Sequence, residues 1–377
     1  MPTLREIVDL LHGWYPPETA DSWDAVGLVY GDPEAGVGKV LFAVDPAPEV
    51  AEEAAEWGAD LLVVHHPLFL KPVYGFPATT PKGRTLSTLA GAGCSLLTAH
   101  TNADRAVDGV SEAMGRALGL TDLAPLTGAT GPAMDKLVVF VPSEKADQVR
   151  DAIAGAGAGA IGDYDNCTFS TAGEGRFRPL EGANPTIGSV GNVEVVDEVR
   201  IESVLPRSRR TAVVIAMLAA HPYEEPAYDV LELAQPGTAQ PGVAEAGVGR
   251  IGSVRETTLH HFAEAVAHAL PETAHGVRVA GNPDHVVRRV AVCGGAGDFL
   301  LDTVRGTDAD AYVTSDLRHH PASEFREHDG PALVDVAHWA AEWTWLPVVQ
   351  AKLVHALGDT VETRVSTIRT DPWNFRI

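Results

Sequence analysis

Long hydrophobic runs, basic residues and cysteines are all scarce in this chain of 377 residues. No apolar run reaches the roughly 18 residues that suggest a membrane-spanning helix. The first segment, MPTLREIVDLLHGW, carries charges that interrupt the apolar stretch of a signal peptide. Lys and Arg number 28 against 51 Asp and Glu, which leaves a net charge of −23. This acidic excess argues against general binding to nucleic acids or anionic membranes. We therefore expect a cytoplasmic protein without membrane segments.

The three cysteines, Cys94, Cys167 and Cys293, are far apart and form no C-x-x-C pair. An odd number of scattered cysteines is typical of a reduced, intracellular protein without a disulfide framework. The pattern also argues against a zinc site built from thiolates. Any metal ion would therefore be bound by histidine and carboxylate side chains.

Strand and helix patterns alternate at both ends of the chain, whereas the middle has a different texture. The alternation over residues 1–130 and 237–377 predicts an α/β sheet structure. Between them, a strand, a helix, two strands, a helix and a strand predict an α+β unit of the ferredoxin-like type over residues 131–236. We therefore predict one α/β domain, split in sequence into two halves, with an α+β domain inserted. Pro236 and Gly237 are the predicted exit linker.

Three of the predicted strands end in side chains that bind metals. In open α/β sheets, ligands bind beyond the carboxyl ends of the strands, so these groups can share one site. A spacing of four residues on a helical turn places His338 and Glu342 on one face. The candidates are His65 and His66 after the first strand, His100 and Asp104 after the second, and His338 and Glu342 after the third.

Imidazole and carboxylate ligands together suit zinc, iron, manganese, cobalt or nickel. Five ligands drawn from these six candidates exceed the three that catalytic zinc uses. They suit two divalent ions about 3.5–4 Å apart, bridged by a carboxylate or a water. Such a pair activates water for hydrolysis of amide-like, phosphoryl or ring C–N bonds. The plainer alternatives are hydrogen-bonded structural histidines, a turn or cap at Asp104, and a solvated helical face at His338 and Glu342.

Two further motifs follow apolar strands. VAVCGGAGDFL has Leu300 where a G-x-G-x-x-G fingerprint needs its last glycine, which favours a tight structural turn over an anion-binding loop. SDLRHH places Asp316, His319 and His320 after another apolar strand, either in the same cavity as the other candidates or in a surface turn. With His100, these two histidines are the candidates for moving protons in catalysis, because imidazole titrates near neutral pH.

LVVHHPLF, LLTAHTNAD and DVAHWAAE, together with SWDAVGLVYGD, AVCGGAG and AYVTSDLRHH, resemble the Nif-three-like proteins, also called GTP cyclohydrolase I type 2 homologues. The resemblance covers nearly the whole chain and implies a homohexamer built as a trimer of dimers. It also implies a dinuclear metal centre, bridged by Glu342 or Asp104, with His100 and Asn102 nearby. Its implied ligands are His65, His66, Asp104, His338 and Glu342. Ala25 stands where the family often has asparagine.

The segment HPYEEPAYD, which begins at His221, resembles the signature of CutA and PII-like proteins. Long members of the Nif-three-like family carry an insert of this kind. The alternative is a rigid turn formed by the two prolines after a helix. A metal-binding role for His221 with Glu224 or Glu225 is the weaker hypothesis.

The predicted pair of metal ions favours a metal-dependent hydrolase, and the resemblance implies one of the GTP cyclohydrolase I type 2 kind. Its metal-bridging water would attack a nucleotide-like or small phosphorylated substrate. One alternative is a protein for metal trafficking, sensing or insertion without turnover, and another is an assembly scaffold with structural metals. Turnover predicts an open coordination position, trafficking predicts exchangeable metal, and a scaffold predicts closed coordination.

Overall fold

The computed structural model describes residues 1–128, 133–162, 164–233 and 246–377. The chain folds into two compact units: an α/β unit, Met1–Ala129 with Ala239–Ile377, and an insert unit, Thr130–Thr238. The predicted boundaries at 130/131 and 236/237, and the linker at Pro236 and Gly237, lie outside the described residues. No helix in the described part of the chain is long and apolar enough to cross a membrane.

The strands are β1 (Gly27–Tyr30), β2 (Lys39–Ala43), β3 (Leu61–Val64), β4 (Ser95–Thr98), β5 (Thr121–Gly128), β6 (Met134–Pro142), β7 (Phe169–Phe177), β8 (Glu194–Pro206), β9 (Tyr228–Glu232), β10 (Gly247–Thr258), β11 (Val277–Ala280), β12 (Val286–Ala296), β13 (Ala311–Ser315), β14 (Ala332–Val336) and β15 (Glu362–Val365). The helices are α1 (Leu4–Trp14), α2 (Pro48–Trp57), α3 (Pro81–Ala92), α4 (Thr101–Arg105), α5 (Val110–Ala117), α6 (Ala146–Gly155), α7 (Arg210–Ala220), α8 (Leu259–Ala269), α9 (Leu301–Arg305), α10 (His319–Glu327), α11 (His338–Trp343) and α12 (Trp345–Leu357). Short 3₁₀ turns occupy Pro17–Thr19, Ser143–Lys145, Arg207–Arg209, Asp298–Leu300 and Gly358–Thr360.

The two halves of the α/β unit exchange edge strands. One sheet has the order β1-β4-β3-β2-β15, and the other has the order β11-β14-β13-β12-β10-β5. β15, from the end of the chain, pairs in parallel with β2, and β5, from the first half, pairs antiparallel with β10. The predicted α/β core is therefore confirmed. Its two halves, 1–130 and 237–377, nevertheless share their sheets rather than forming one each.

The buried strand β3 explains the apolar run before the histidine doublet. Leu61 and Val63 pack in one core cluster, while Leu62 and Val64 pack in another on the opposite face. A strand covered on both faces reads as a continuous apolar run, because its side chains alternate between the two faces. After Val64 the chain leaves the sheet, and the two histidines lie just beyond its carboxyl end.

The insert unit has the β-α-β-β-α-β order of a ferredoxin-like fold, as the sequence predicts. Its strands form an antiparallel sheet of order β7-β8-β6-β9. Helices α6 and α7 contribute Val149, Ile153, Val213 and Met217 to one buried cluster with the sheet. Each helix thus buries residues three or four apart, as expected for an amphipathic helix.

Candidate metal centre

Imidazole rings from three strand ends cluster in the α/β unit. His65 and His66 follow β3, His100 follows β4, and His338 follows β14 with a single residue between. The ring centroids of His66 lie 5.1 Å from His65, 5.5 Å from His100 and 5.3 Å from His338. The two sheets therefore direct polar side chains from their carboxyl ends into one place, as the strand-end argument predicts.

Glu342 lies at the centre of this cluster and is only 3% exposed. Its Oε1 atom is 2.8 Å from His338 Nε2 and 3.4 Å from His65 Nε2. Its Oε2 atom is 3.1 Å from His66 Nε2. Helix α11 carries both His338 and Glu342, so their spacing of four residues places them on one face. One carboxylate thus faces three imidazoles through both oxygens.

Three buried atoms of the cluster have no hydrogen-bond partner in the described part of the chain: His65 Nε2, Asp104 Oδ1 and Glu342 Oε2. Asp104, on α4, brings its Oδ1 atom to 3.6 Å from His65 Nε2. Buried polar atoms are normally paired, and leaving one unpaired costs about 1–3 kcal/mol. Ligand atoms that face one another without a hydrogen bond are the arrangement expected around a cation.

Each imidazole is also held from outside the cluster, through its Nδ1 atom. Such an acceptor keeps the proton on Nδ1 and turns the Nε2 lone pair inward, which is how proteins orient metal-binding histidines. The distances are 2.9 Å from His65 to the Ala99 carbonyl oxygen, 2.7 Å from His66 to Asp45 Oδ1, 2.9 Å from His100 to Asp24 Oδ1, and 2.7 Å from His338 to Asp316 Oδ2.

The cluster concentrates negative charge in a buried place. Burial by itself lowers the pKa of the His66 and His338 imidazoles. Glu342, together with Asp45 beside His66 and Asp316 beside His338, outweighs burial and raises the two pKa values to about 10 and about 11. Burial alone would raise the pKa of Glu342, yet the surrounding imidazoles hold it well below its usual range. The Glu342 carboxylate therefore stays ionised and attracts positive charge, which protons or a metal ion can supply.

The structure brings the predicted ligands His65, His66, Asp104, His338 and Glu342 together. His100 also belongs to the cluster, because its ligand nitrogen lies within 4.8 Å of those of His65 and His66. His319 and His320 behave differently: both are exposed at the start of α10.

The structure divides the motif SDLRHH between the two interpretations: Asp316 lines the same cavity as His66 and His338, whereas His319 and His320 lie exposed on the surface. Asp316 has a left-handed φ of 58° just after β13, and its side chain, not either following imidazole, reaches His338. His319 lines a separate surface depression together with Arg278 and Arg326.

Sequence reasoning missed three contributors to the site. Asp24, from the SWD motif, holds His100, and Asp45, just beyond β2, holds His66. Gly295, in β12, lies against the cluster: a Cβ atom there would be 2.6 Å from Glu342 Oε1. The Gly-rich end of this strand therefore allows the close approach of Glu342 and His338. The two consecutive glycines at the end of a buried strand were the available signal.

The HPYE segment of the insert unit forms a structural turn. The ring of His221 donates from Nε2 to the Phe140 carbonyl oxygen at 2.9 Å and accepts at Nδ1 from the Tyr223 N–H at 3.1 Å. Glu224 accepts from the Asn184 N–H at 3.1 Å. Both nitrogens of His221 are thus engaged by backbone groups, which argues against the metal-binding hypothesis for this segment.

The fold and the site define an α/β protein with clustered histidine and glutamate side chains that could hold a metal ion. The chain belongs to the DUF34/NIF3 family. The family described as Duf34/NIF3 (NGG1p interacting factor 3) matches residues 2–372. The resemblance stated from the sequence is thereby confirmed.

Named relatives match over nearly their whole length. A Mycobacterium tuberculosis protein named GTP cyclohydrolase 1 type 2 homolog is 50% identical over 99% of this chain and 97% of its own. A Bacillus subtilis protein of the same name is 37% identical, with 98% of each chain covered. The crystal structure of a Bacillus cereus protein related to NIF3 is similar with a TM-score of 0.66 and 38% identity, covering 100% of this chain and 99% of that one.

Proposed function

We propose that this protein is a metal-dependent hydrolase with a dinuclear centre, similar to GTP cyclohydrolase 1 type 2. Its substrate would be nucleotide-like or a small phosphorylated compound. The observation that carries the proposal is the set of buried, unpartnered atoms His65 Nε2, Asp104 Oδ1 and Glu342 Oε2. The name shared by close relatives agrees with the same chemistry.

The donor set suits two divalent ions such as zinc, iron, manganese, cobalt or nickel. Glu342, which faces three imidazoles with its two oxygens, is suited to lie between the ions. His65 and Asp104 would serve one ion, and His66 and His338 would serve the other. When bound, such a pair supplies Lewis acidity and lowers the pKa of water.

The remaining residues act through position and proton transfer. Asp45 and Asp316 orient the His66 and His338 rings, because each accepts a hydrogen bond from the outer nitrogen. His100, held by Asp24, is the candidate for moving a proton at the edge of the cluster. His319 and His320 are exposed, which does not support such a role for them.

Metal analysis and activity assays test the proposal together. The wild-type protein is reconstituted and compared with His65→Ala, Glu342→Ala and the exposed control His320→Ala. We expect about two ions per chain in the wild type and the control and loss of metal in the other two variants. Hydrolysis of a panel of nucleotides and phosphoesters should fall in parallel with the metal content. A reconstituted wild-type protein without transition metal would contradict the proposal, and full occupancy without turnover would favour trafficking, sensing or insertion.

The origin of the insert and the assembly are parts of the same proposal. The HPYE segment and the β-α-β-β-α-β order support a relation of the insert unit to CutA and PII-like proteins. The hexamer stays a prediction from the family resemblance. The exposed Tyr74 and Phe76 side chains offer apolar surface of the kind that interfaces cover. Light scattering on the purified protein would measure the assembly.

A further inference from the structure

A cavity of about 330 Å³ lies beside the candidate metal centre and is lined by His66 and His338. A third histidine, His275, lines the same cavity from the segment between α8 and β11 and is not among the candidate ligands. Cavities that bind small molecules measure about 300–1,000 Å³, so one small substrate can fill this cavity and touch both of its walls. A molecule bound there would contact His275 and the metal centre together.

A buried carboxylate holds the His275 ring. The Nε2 atom of His275 lies 2.9 Å from Oδ2 of Asp335, on β14, whose side chain is only 7% exposed. Asp335 is also paired with Arg278, and its Oδ1 atom accepts from the Leu317 N–H at 3.1 Å. With a guanidinium and a backbone N–H as its other partners, the carboxylate acts as an acceptor, so Nε2 of His275 is the donor.

This hydrogen bond leaves the other ring nitrogen, Nδ1, for the cavity. The neutral ring presents a lone pair at Nδ1, and the protonated ring presents an N–H group there, while Nε2 donates to Asp335 in both forms. The His275 side chain is 17% exposed, so a bound molecule can reach the ring. An imidazole that a carboxylate orients through one nitrogen, and that is open at the other, is suited to acid–base catalysis near neutral pH.

We propose that His275 is a catalytic residue that protonates the leaving group during hydrolysis in this cavity. The protonated ring donates its Nδ1 proton to the leaving oxygen or nitrogen atom as the bond to that atom breaks, and the leaving atom keeps the electron pair. Water supplies the hydroxyl group of the other product and loses one proton to the solvent, from which His275 is protonated again. Asp335 is a positioning residue in this step. The inference rests on the proposed function, because it requires hydrolysis beside the metal centre.

Two phosphate esters with different leaving groups test the proposal on the metal-loaded protein. Phenyl phosphate releases an oxygen that needs a proton, whereas 4-nitrophenyl phosphate releases a stabilised anion. His275→Gln should hydrolyse phenyl phosphate about 100-fold more slowly than the wild type, because a positioned acid contributes about 10²–10⁴-fold. Its rate with 4-nitrophenyl phosphate should fall far less, so the ratio of the two rates changes.

A second measurement does not depend on turnover. Diethyl pyrocarbonate acylates imidazole nitrogens that are not hydrogen-bonded, and mass spectrometry locates the label. His275 should be labelled in the metal-loaded protein. Inorganic phosphate at about ten times its Kd should slow this labelling about tenfold, because occupied protein is protected. The labelling of His355, an exposed histidine on α12, should not change.

Three further variants separate proton donation from a structural role. Arg278→Gln removes another partner of Asp335 but keeps the imidazole, so it should retain the wild-type ratio of the two rates. Asp335→Asn should shift the ratio in the same direction as His275→Gln, by a smaller factor, because the ring is present but less well oriented. His355→Gln is the matched control and should behave like the wild type with both esters.

Equal losses with both esters in His275→Gln, or no loss with phenyl phosphate, would overturn the proposal, as would labelling of His275 that phosphate does not slow. Metal content and wild-type activity separate the two possible failures. Metal-loaded, active wild-type protein beside a His275→Gln variant with an unchanged ratio contradicts only the role of His275. A wild type that binds no metal, or that hydrolyses neither ester, contradicts the proposed function and this inference together.

Discussion

Each imidazole of the cluster has a hydrogen-bond acceptor on its outer side, and this acceptor decides which way the ring faces. Asp24, Asp45 and Asp316 supply these outward acceptors as carboxylates, and Ala99 supplies one as a carbonyl. In the sequence, each of these aspartates is distant from the histidine with which it forms a hydrogen bond. Only tertiary structure brings them together, so the sequence could nominate the inward ligands by motif and strand end but not their supports.

Replacing Asp45 by alanine removes the acceptor at 2.7 Å from His66 Nδ1 and leaves that ring free to turn. We expect the affinity for metal to fall about 10- to 100-fold, while His66 itself is still present. Competition with a chromophoric chelator measures the affinity. Asp45→Asn retains an oxygen acceptor and should lose less. Exposed Asp359→Ala is the control, and equal affinity of Asp45→Ala and the wild type would refute an orienting role.

On the scale of the elements, the sequence patterns of the strands predict the position of the site better than those of the connecting segments do. β3 and β14 are buried along their whole length, so their apolar patterns identify the histidines that follow as strand-end residues. The role of the glycines at the end of β12 is harder to predict from the sequence. These glycines fit a tight turn by local rules, yet Gly295 is required because Glu342 lies against it. Local propensity cannot reveal a close approach by a residue from another element.

A comparison of alanine variants at Gly295 and Gly58 separates the steric effect of this close approach from the effect of backbone strain. Both have φ of +71°, but only Gly295 has cluster atoms within reach of an added Cβ, whereas Gly58 has none within 4 Å. Alanine at either position should cost about 1 kcal/mol of stability from the left-handed backbone. Gly295→Ala should in addition lower metal affinity at least tenfold, because the methyl group displaces Glu342. Chelator competition and thermal unfolding measure the two effects. Metal binding by Gly295→Ala that matches Gly58→Ala would disprove the steric role.

On the scale of the whole molecule, the chain consists of the α/β unit and the insert unit. The order of strands and helices predicts both units, because hydrophobic periodicity is local. The exchange of β5 and β15 between the halves of the α/β unit was not predictable, since pairing of edge strands depends on distant partners. In the insert unit, the buried Asp135 carboxylate on β6 accepts hydrogen bonds from Arg210 at 2.7 Å and Arg207 at 3.1 Å.

This ion pair makes the stability of the insert unit depend on pH. Hydrogen bonding to Arg210 is the largest influence on Asp135, and the pKa of its carboxyl is held below the usual value. The ionised form is thus stabilised by folding, and this stability is present above the unfolded pKa of about 3.9 and is lost as the pH falls through the folded pKa. Asp135→Asn should cost about 1–3 kcal/mol at pH 7 and less at pH 3.

Hydrogen exchange of the β6 amides across a urea series, at both pH values, measures this difference. Glu144→Gln, an exposed carboxylate in the same unit, is the control and should match the wild type at each pH. A penalty for Asp135→Asn that is the same at pH 3 as at pH 7 would show that the charge of Asp135 does not contribute.

The pairing of β15 with β2 also determines when the first sheet can be completed during translation. During translation from the N-terminus, β2 and the histidine doublet are made long before Glu342, which faces the imidazoles, and before β15, which pairs with the edge of β2. The first sheet therefore keeps an open edge while the insert unit is being made, and open edges are prone to wrong pairing. A nascent chain cannot bring all of these side chains together before Glu342 has been made, so a bound metal would mark a polypeptide whose translation has passed this residue.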